Sequence, residues 1–336
     1  MVSDHIQIKF LNQIKEKLPK NLSFAETLSE DLNISTDSAY RRIRGETNLS
    51  IEELKTLCVK YKISLDSFLA VSNNTVLFNY RAIEPENFDF NKYLQSVIEN
   101  LKQIRSFEVK ELIYAAKDIP LFYLLMFKKL ATFKIFFWAK NLLKFRELED
   151  KPFLPDYVAE ETLQLANQVW QNYIKIPSSE IWSTECINVT LKQIEFFYDS
   201  GQFKSKKDAL ELCEDVYALI DHLQRQASKG YKFDFGENPV IEEPENPFNL
   251  YLNEVTIADN SVIFKMGDIK VVNLAHNVMN ILTTTDPKFC DYTYNTVKNI
   301  INNSILISVA SEKERTKFCH MMRRKVEELM NKIKNY

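Results

Sequence analysis

Residues 28–45 read LSEDLNISTDSAYRRIRG, and this stretch decides how the N-terminal fifth of the chain folds. Leu28 and Leu32, four residues apart, mark one face of a helix. Asparagine tolerates the left-handed region better than most residues, so Asn33-Ile34 predicts a tight turn. Ser35 is placed to cap a second helix, Thr36 to Arg44, whose Ala39 and Ile43 face inward. Gly45 ends that helix where a left-handed residue costs least. Leu28, Leu32, Ile34, Ala39 and Ile43 then pack the two short helices together.

The surrounding sequence supplies partners for this pair. Phe10, Leu11, Ile14 and Leu18 fall on one face of a preceding helix. Ser23 with Glu26 and Ser50 with Glu53 have the spacing of capping boxes. The second box opens a helix striped with Ile51, Leu54, Leu57, Cys58 and Tyr61, and a last turn at Ser64–Leu69 adds Leu65, Phe68 and Leu69. Residues 1–72 therefore predict a bundle of five short helices.

The Leu28-to-Gly45 run, set in this helix order, resembles the helix-turn-helix of the Cro- and phage-repressor-type (XRE-like) transcriptional regulators. The resemblance covers about residues 5–70. It implies a lambda-repressor-like DNA-binding domain with Thr36–Arg44 as the recognition helix, lying in the major groove of double-stranded DNA. Three positions depart from the family pattern: Ser29 replaces a usual alanine, Asn33 a common turn glycine, and Arg42 a frequent bulky apolar residue, with Ile43 standing in one place later.

Residue chemistry adds to that placement. On a helix starting at Ser35, the residues Thr36, Asp37, Tyr40, Arg41 and Arg44 share the face away from the apolar side chains. The planar fork of arginine matches guanine O6 and N7 and gives about 1–3 kcal/mol of base discrimination. Hydroxyls and free N–H groups at a helix start suit phosphates, which set register without reading sequence. The candidate DNA-binding residues are thus Ser35, Thr36, Asp37, Tyr40, Arg41, Arg42 and Arg44. Arg41 and Thr36 are expected at bases, Tyr40 and Arg44 at backbone or flanking positions, and Arg42 at either. Residues 1–70 hold ten Lys/Arg and ten Asp/Glu, so one copy gains little from counterion release. A homodimer gripping an inverted-repeat operator would supply the missing affinity. The alternative is a protein-interaction scaffold whose N-terminal bundle docks a protein partner.

Beyond a linker at 71–90, residues 91–230 read as a helical dimerisation or sensing domain, with helices at 109–117, 156–175, 183–200 and 205–228. Its aromatic run (Phe122, Tyr123, Phe127, Phe133, Phe136, Phe137, Trp138) reads as core, with a dimer face or a ligand pocket as alternatives. Lys128, Lys129, Lys134 and Lys140 would reach the rim of such a face. Residues 230–249, rich in Pro and Glu, predict a stiff acidic linker. Residues 250–336 then predict a small α+β domain, with strands at 254–257, 262–266 and 269–272, a turn at Gly267-Asp268, helices at 275–283 and 290–303, and a final helix capped by Ser311. Arg323-Arg324-Lys325 on that last helix is a weaker candidate for a second DNA contact. The fold class expected is mainly α: a five-helix head, a central all-α domain and a small C-terminal α+β domain.

The sequence also excludes several function classes. Only five glycines are present, where average usage of about 7% would give roughly 24. No dinucleotide or P-loop signature can be assembled from them. Five scattered cysteines contain no C-x-x-C, and four scattered histidines no H-E-x-x-H, so no metal, cofactor or catalytic residue is assigned. The longest uninterrupted apolar run in the most apolar region is Leu121 to Phe127, too short to span a membrane, and a net charge of −3 gives the chain no polybasic character. These features predict a cytoplasmic, sequence-specific DNA-binding transcriptional regulator that is not an enzyme. Nothing in the sequence specifies a small-molecule effector.

Overall fold

The computed structural model describes all residues except 1–5, 17, 19–22, 62, 64, 66, 67, 69–74, 81, 258 and 336, together with the backbone alone of Glu16. The chain divides into two compact units, Met1–Leu77 and Phe78–Tyr336.

The first unit holds helices α1 (Ile6–Glu16), α2 (Phe24–Leu32), α3 (Thr36–Ile43) and α4 (Ile51–Tyr61). Phe10, Leu11 and Ile14 of α1, Leu28 of α2, Ala39 of α3, Leu57 of α4 and Ile63 just beyond α4 form its core. Gln7 ties α1 to the α3–α4 turn. Its amide donates to the carbonyls of Arg42 (2.9 Å) and Thr47 (2.8 Å), and its oxygen accepts from the Leu49 N–H at 2.8 Å. The box at Ser50 and Glu53 forms reciprocally, at 3.1 and 2.9 Å. The expected box at Ser23 does not: its side chain makes no cap hydrogen bond, while its carbonyl accepts from the Thr27 hydroxyl. Of the predicted last turn, only Leu65 and Phe68 lie among the described residues, and Phe68 meets Phe10 edge-on at 5.3 Å.

The second unit is built on one mixed sheet. Its strands are β1 (Asn79–Tyr80), β2 (Lys110–Ala115), β3 (Ser178–Trp182), β4 (Phe248–Leu252), β5 (Ser261–Met266), β6 (Ile269–His276), β7 (Asn280–Thr284) and β8 (Ile305–Leu306), in the order β1-β7-β6-β5-β2-β3-β4-β8. The pairs β2–β3 and β3–β4 are parallel and the rest antiparallel. Leu112, Tyr114, Trp182, Phe248 and Leu250 join the larger core. That core also takes residues from α5 (Phe90–Arg105), α6 (Leu121–Leu125), α7 (Lys128–Phe137), α8 (Glu160–Tyr173), α9 (Asn188–Asp199), α10 (Lys206–Lys229) and α12 (Glu312–Asn335). Ile113, Ala115, Ile181, Ile263 and Val272 form a separate cluster with Cys290, Val297 and Ile301 of α11 (Pro287–Asn302).

This architecture overturns the expected fold class. The chain remains mainly helical, but the region 91–230 is not all-α, and 250–336 is not a separate α+β domain, because both give strands to one sheet. The predicted helix 109–117 is strand β2. Both its faces are covered, so its apolar residues run on without the alternation that marks a half-exposed strand. The predicted helix 275–283 is the end of β6 and most of β7, and the predicted strand 254–257 gives way to β4 at 248–252. Residues 230–249 are no interdomain linker: Tyr231, Lys232 and Phe233 are buried, and Tyr231 bridges to Pro247. The turn at Gly267-Asp268 is present, with Gly267 at φ +58°.

The aromatic run is core. Tyr123, Phe133 and Phe136 are fully buried, and Phe122 stacks on Tyr173 at 4.1 Å. Lys134 does not reach the surface: it is buried, and its ammonium donates to Gln193 at 2.6 Å. No described helix is long and apolar enough to cross a membrane.

Candidate nucleic-acid interface

Helix α3 begins from a left-handed turn. Asn33 takes φ 51° and ψ 49°, and the Ile34 N–H returns to the Ser29 carbonyl at 2.9 Å. An L-residue pays least for this backbone when it is asparagine, the residue present here. The Ser35 hydroxyl then accepts the Ser38 N–H at 3.2 Å, and the helix ends at Ile43 with Arg44 as its C-cap, followed by Gly45 at φ +75°. Ala39 is fully buried and Ile43 packs on the core, which fixes the rotation of the helix.

That rotation leaves Ser35, Thr36, Asp37, Tyr40, Arg41 and Arg44 exposed. The helix thus gathers six of the seven candidate residues into one accessible stripe. Arg42 is the exception. Its side chain is 16% exposed and makes a bidentate pair with Glu53 of α4, Nε to Oε2 at 3.1 Å and Nη2 to Oε1 at 2.8 Å. A further bond runs from Nη1 to the Ser38 carbonyl at 3.2 Å. Every donor nitrogen of this guanidinium is engaged inside the unit, so Arg42 fastens α3 to α4 and does not belong to the exposed stripe. Burial of Glu53 raises its carboxyl pKa, but the Arg42 hydrogen bonds, the Ser50 N–H and the Arg42 charge outweigh it and hold the pKa below the ordinary value. The signal was present in sequence: an arginine at an apolar position, and a glutamate whose capping role brings it to the start of the next helix.

Residue chemistry missed a second acid. Glu46, just after α3, accepts from Arg44 through Nε at 2.7 Å and Nη2 at 3.2 Å, and lies 3.9 Å from Arg41 Nε. All three side chains are about half exposed, so these are screened surface pairs that an incoming phosphate or base edge can displace at small cost. A short helix carrying two exposed guanidinium forks, a phenol and a threonine hydroxyl can donate to acceptors along a groove edge.

The other basic candidate is paired within the second unit, although Arg324 and its partner, 62% and 66% exposed, form a screened surface pair like those of Glu46. Arg323 bonds Asp221 and Gln224, Arg324 pairs with Glu328, and Lys325 bonds Glu185, Asn188 and the Thr184 carbonyl.

Several ionisable groups are buried inside the second unit. Glu180, with no exposure, accepts from Tyr123 (3.2 Å), Ser178 (3.3 Å), Trp182 Nε1 (3.0 Å) and Tyr173. Lys232 is buried with its ammonium 3.7 Å from the Tyr173 ring centre, and burial lowers its pKa to about 7 against the pull of Glu180. His222 bonds the Phe233 carbonyl, and burial with the Arg225 charge lowers its pKa to about 4. All five cysteines are free, and burial pushes the thiols of Cys186, Cys213 and Cys319 up to about 12, where they stay protonated.

No family model matches the chain, and neither a curated protein nor a solved structure matches it.

Proposed function

We propose that the chain is a cytoplasmic, sequence-specific DNA-binding transcriptional regulator, with α3 as the element that enters the major groove. One observation carries the reading: a capped helix, entered through a left-handed turn, exposes Thr36, Tyr40, Arg41 and Arg44 on one face while its other face is buried. Arg41 and Thr36 read base edges, Tyr40 and Arg44 contact backbone or flanking positions, and Ser35 and the first N–H groups hold a phosphate. The neutral charge of the head and the acid beside its arginines keep one copy weak, which favours a homodimer on an inverted repeat.

The same neutrality is the observation that favours the scaffold reading, in which this unit docks a protein. Ile51 and Val59 on α4 are 81% and 71% exposed and would take part in such a contact.

Selection of bound fragments from genomic DNA by the full-length chain tests the first reading. An enriched inverted repeat, lost as salt rises, is expected. Retention of no motif at low salt contradicts it and returns the head to protein docking.

A further inference from the structure

One row of residues crosses the larger-core face of the sheet at a single register. From Glu180 on β3 it passes to Tyr114 on β2, Val262 on β5, Asn273 on β6, Thr283 on β7 and Asn79 on β1. At the Glu180 end the row is sealed by the aromatic donors described above. At the other end, Asn273, Thr283 and Asn79 line an open cleft of about 710 Å³, flanked by the start of α5 and the segment 83–89. That volume lies within the range of small-molecule sites, about 300–1,000 Å³.

Hydrogen bonding in the cleft is set but incomplete. The Thr283 hydroxyl donates to Asn273 Oδ1 at 2.7 Å, which fixes that carboxamide and leaves its Nδ2 as a donor with no partner among the described residues. The Tyr93 hydroxyl likewise has no such partner, and burial pushes its pKa up to about 12, so it stays neutral. Charged lining groups are committed or outside. Asp89 accepts the N–H groups of Asn91 and Lys92 at the start of α5, Glu84 accepts the Asn87 amide, and the Lys92 side chain is 84% exposed. Phe88 and Val97 add apolar surface.

We infer that this cleft binds a neutral, polyhydroxylated ring: a sugar, taken free or as the ribose of a nucleoside. A sugar hydroxyl both donates and accepts, as do carboxamides and phenols, and the C–H face of the ring matches Phe88 and Val97. Among the described lining residues the cation is Lys92, whose side chain is 84% exposed, so a phosphate or carboxylate would meet no buried cation among them. The inference stands independently of whether the first unit reads DNA.

Titration calorimetry of the full-length chain with glucose, ribose and adenosine tests it, with glucose 6-phosphate as the charged control. Saturable binding of at least one neutral probe is expected, with a Kd below about 10 mM. A free sugar as ligand gives binding of glucose or ribose, and a nucleoside gives binding of adenosine. Asn273→Ala and Tyr93→Phe should each weaken the interaction by about tenfold or more, because each removes a placed polar group. Thr283→Val, which frees the Asn273 carboxamide, serves if Asn273→Ala does not fold. Absence of saturation with every neutral probe up to about 10 mM overturns the inference. So does tighter binding of glucose 6-phosphate than of glucose, or unchanged affinity in the variants that fold.

Discussion

The face of α3 and the interior beneath β3 use a carboxylate in opposite ways. Glu46 is about half exposed and holds two arginines loosely, while Glu180 is sealed from solvent and held by four side-chain donors. Water and salt screen the first arrangement, so its partners can be exchanged for a ligand. The second has no alternative partners, and removing one group strands the others. The Glu46 pairs on the small head are therefore exchangeable, while the Glu180 cluster in the larger interior is fixed.

The sharpest way to break this contrast is Glu180→Ala. With four donors left unpaired in a closed interior, the variant should lose about 3–5 kcal/mol of stability in urea unfolding. A loss under about 1 kcal/mol would place Glu180 with the exchangeable surface acids.

A second probe is pH. The His222 pKa, about 4, lies below the ordinary 6.5. Between those values the unfolded chain binds a proton that the folded chain refuses, so stability falls as pH drops from 6.5 to 4. His222→Gln should remove that loss, on the order of 3 kcal/mol, from the difference between the two stability curves. Parallel curves would show that this ring is no more insulated than a surface histidine.

Arg42→Ala separates the two roles of arginine on one helix. It strands the Glu53 carboxylate and should cost about 1–3 kcal/mol, seen as faster hydrogen exchange at the amides of α3 and α4. The smallest effect is expected for Glu46→Gln. Removing a charge beside Arg41 and Arg44 should tighten DNA binding by roughly two- to fivefold at low salt and fade as salt rises.

The head was legible in sequence because its information is local. The αL turn at Asn33, the Ser35 cap and the Leu28–Ile43 spacing all act within 18 residues. The pair between Arg42 and Glu53 was missed because it joins two helices whose approach no single helical period encodes. In the larger unit the decisive contacts are distant. Lys110–Ala115 has apolar neighbours on both faces, so its pattern carries no period of two. Ser178–Trp182 is polar enough to read as a loop, yet it is a central strand whose Glu180 is satisfied by Tyr123, 57 residues away. The Pro- and Glu-rich stretch after Gly230 resembles a linker in composition while Tyr231 and Phe233 anchor it in the fold. Composition reports solubility; register and burial depend on partners far along the chain.

Arg41 is the residue proposed to read base edges. The direct measurement is the affinity of the parent and of Arg41→Ala for the selected operator and for copies changed one base pair at a time. Specificity should collapse at one position of each half-site, by about 1–3 kcal/mol, with thermal stability and the other positions unchanged. Equal discrimination by both proteins at every position would contradict it.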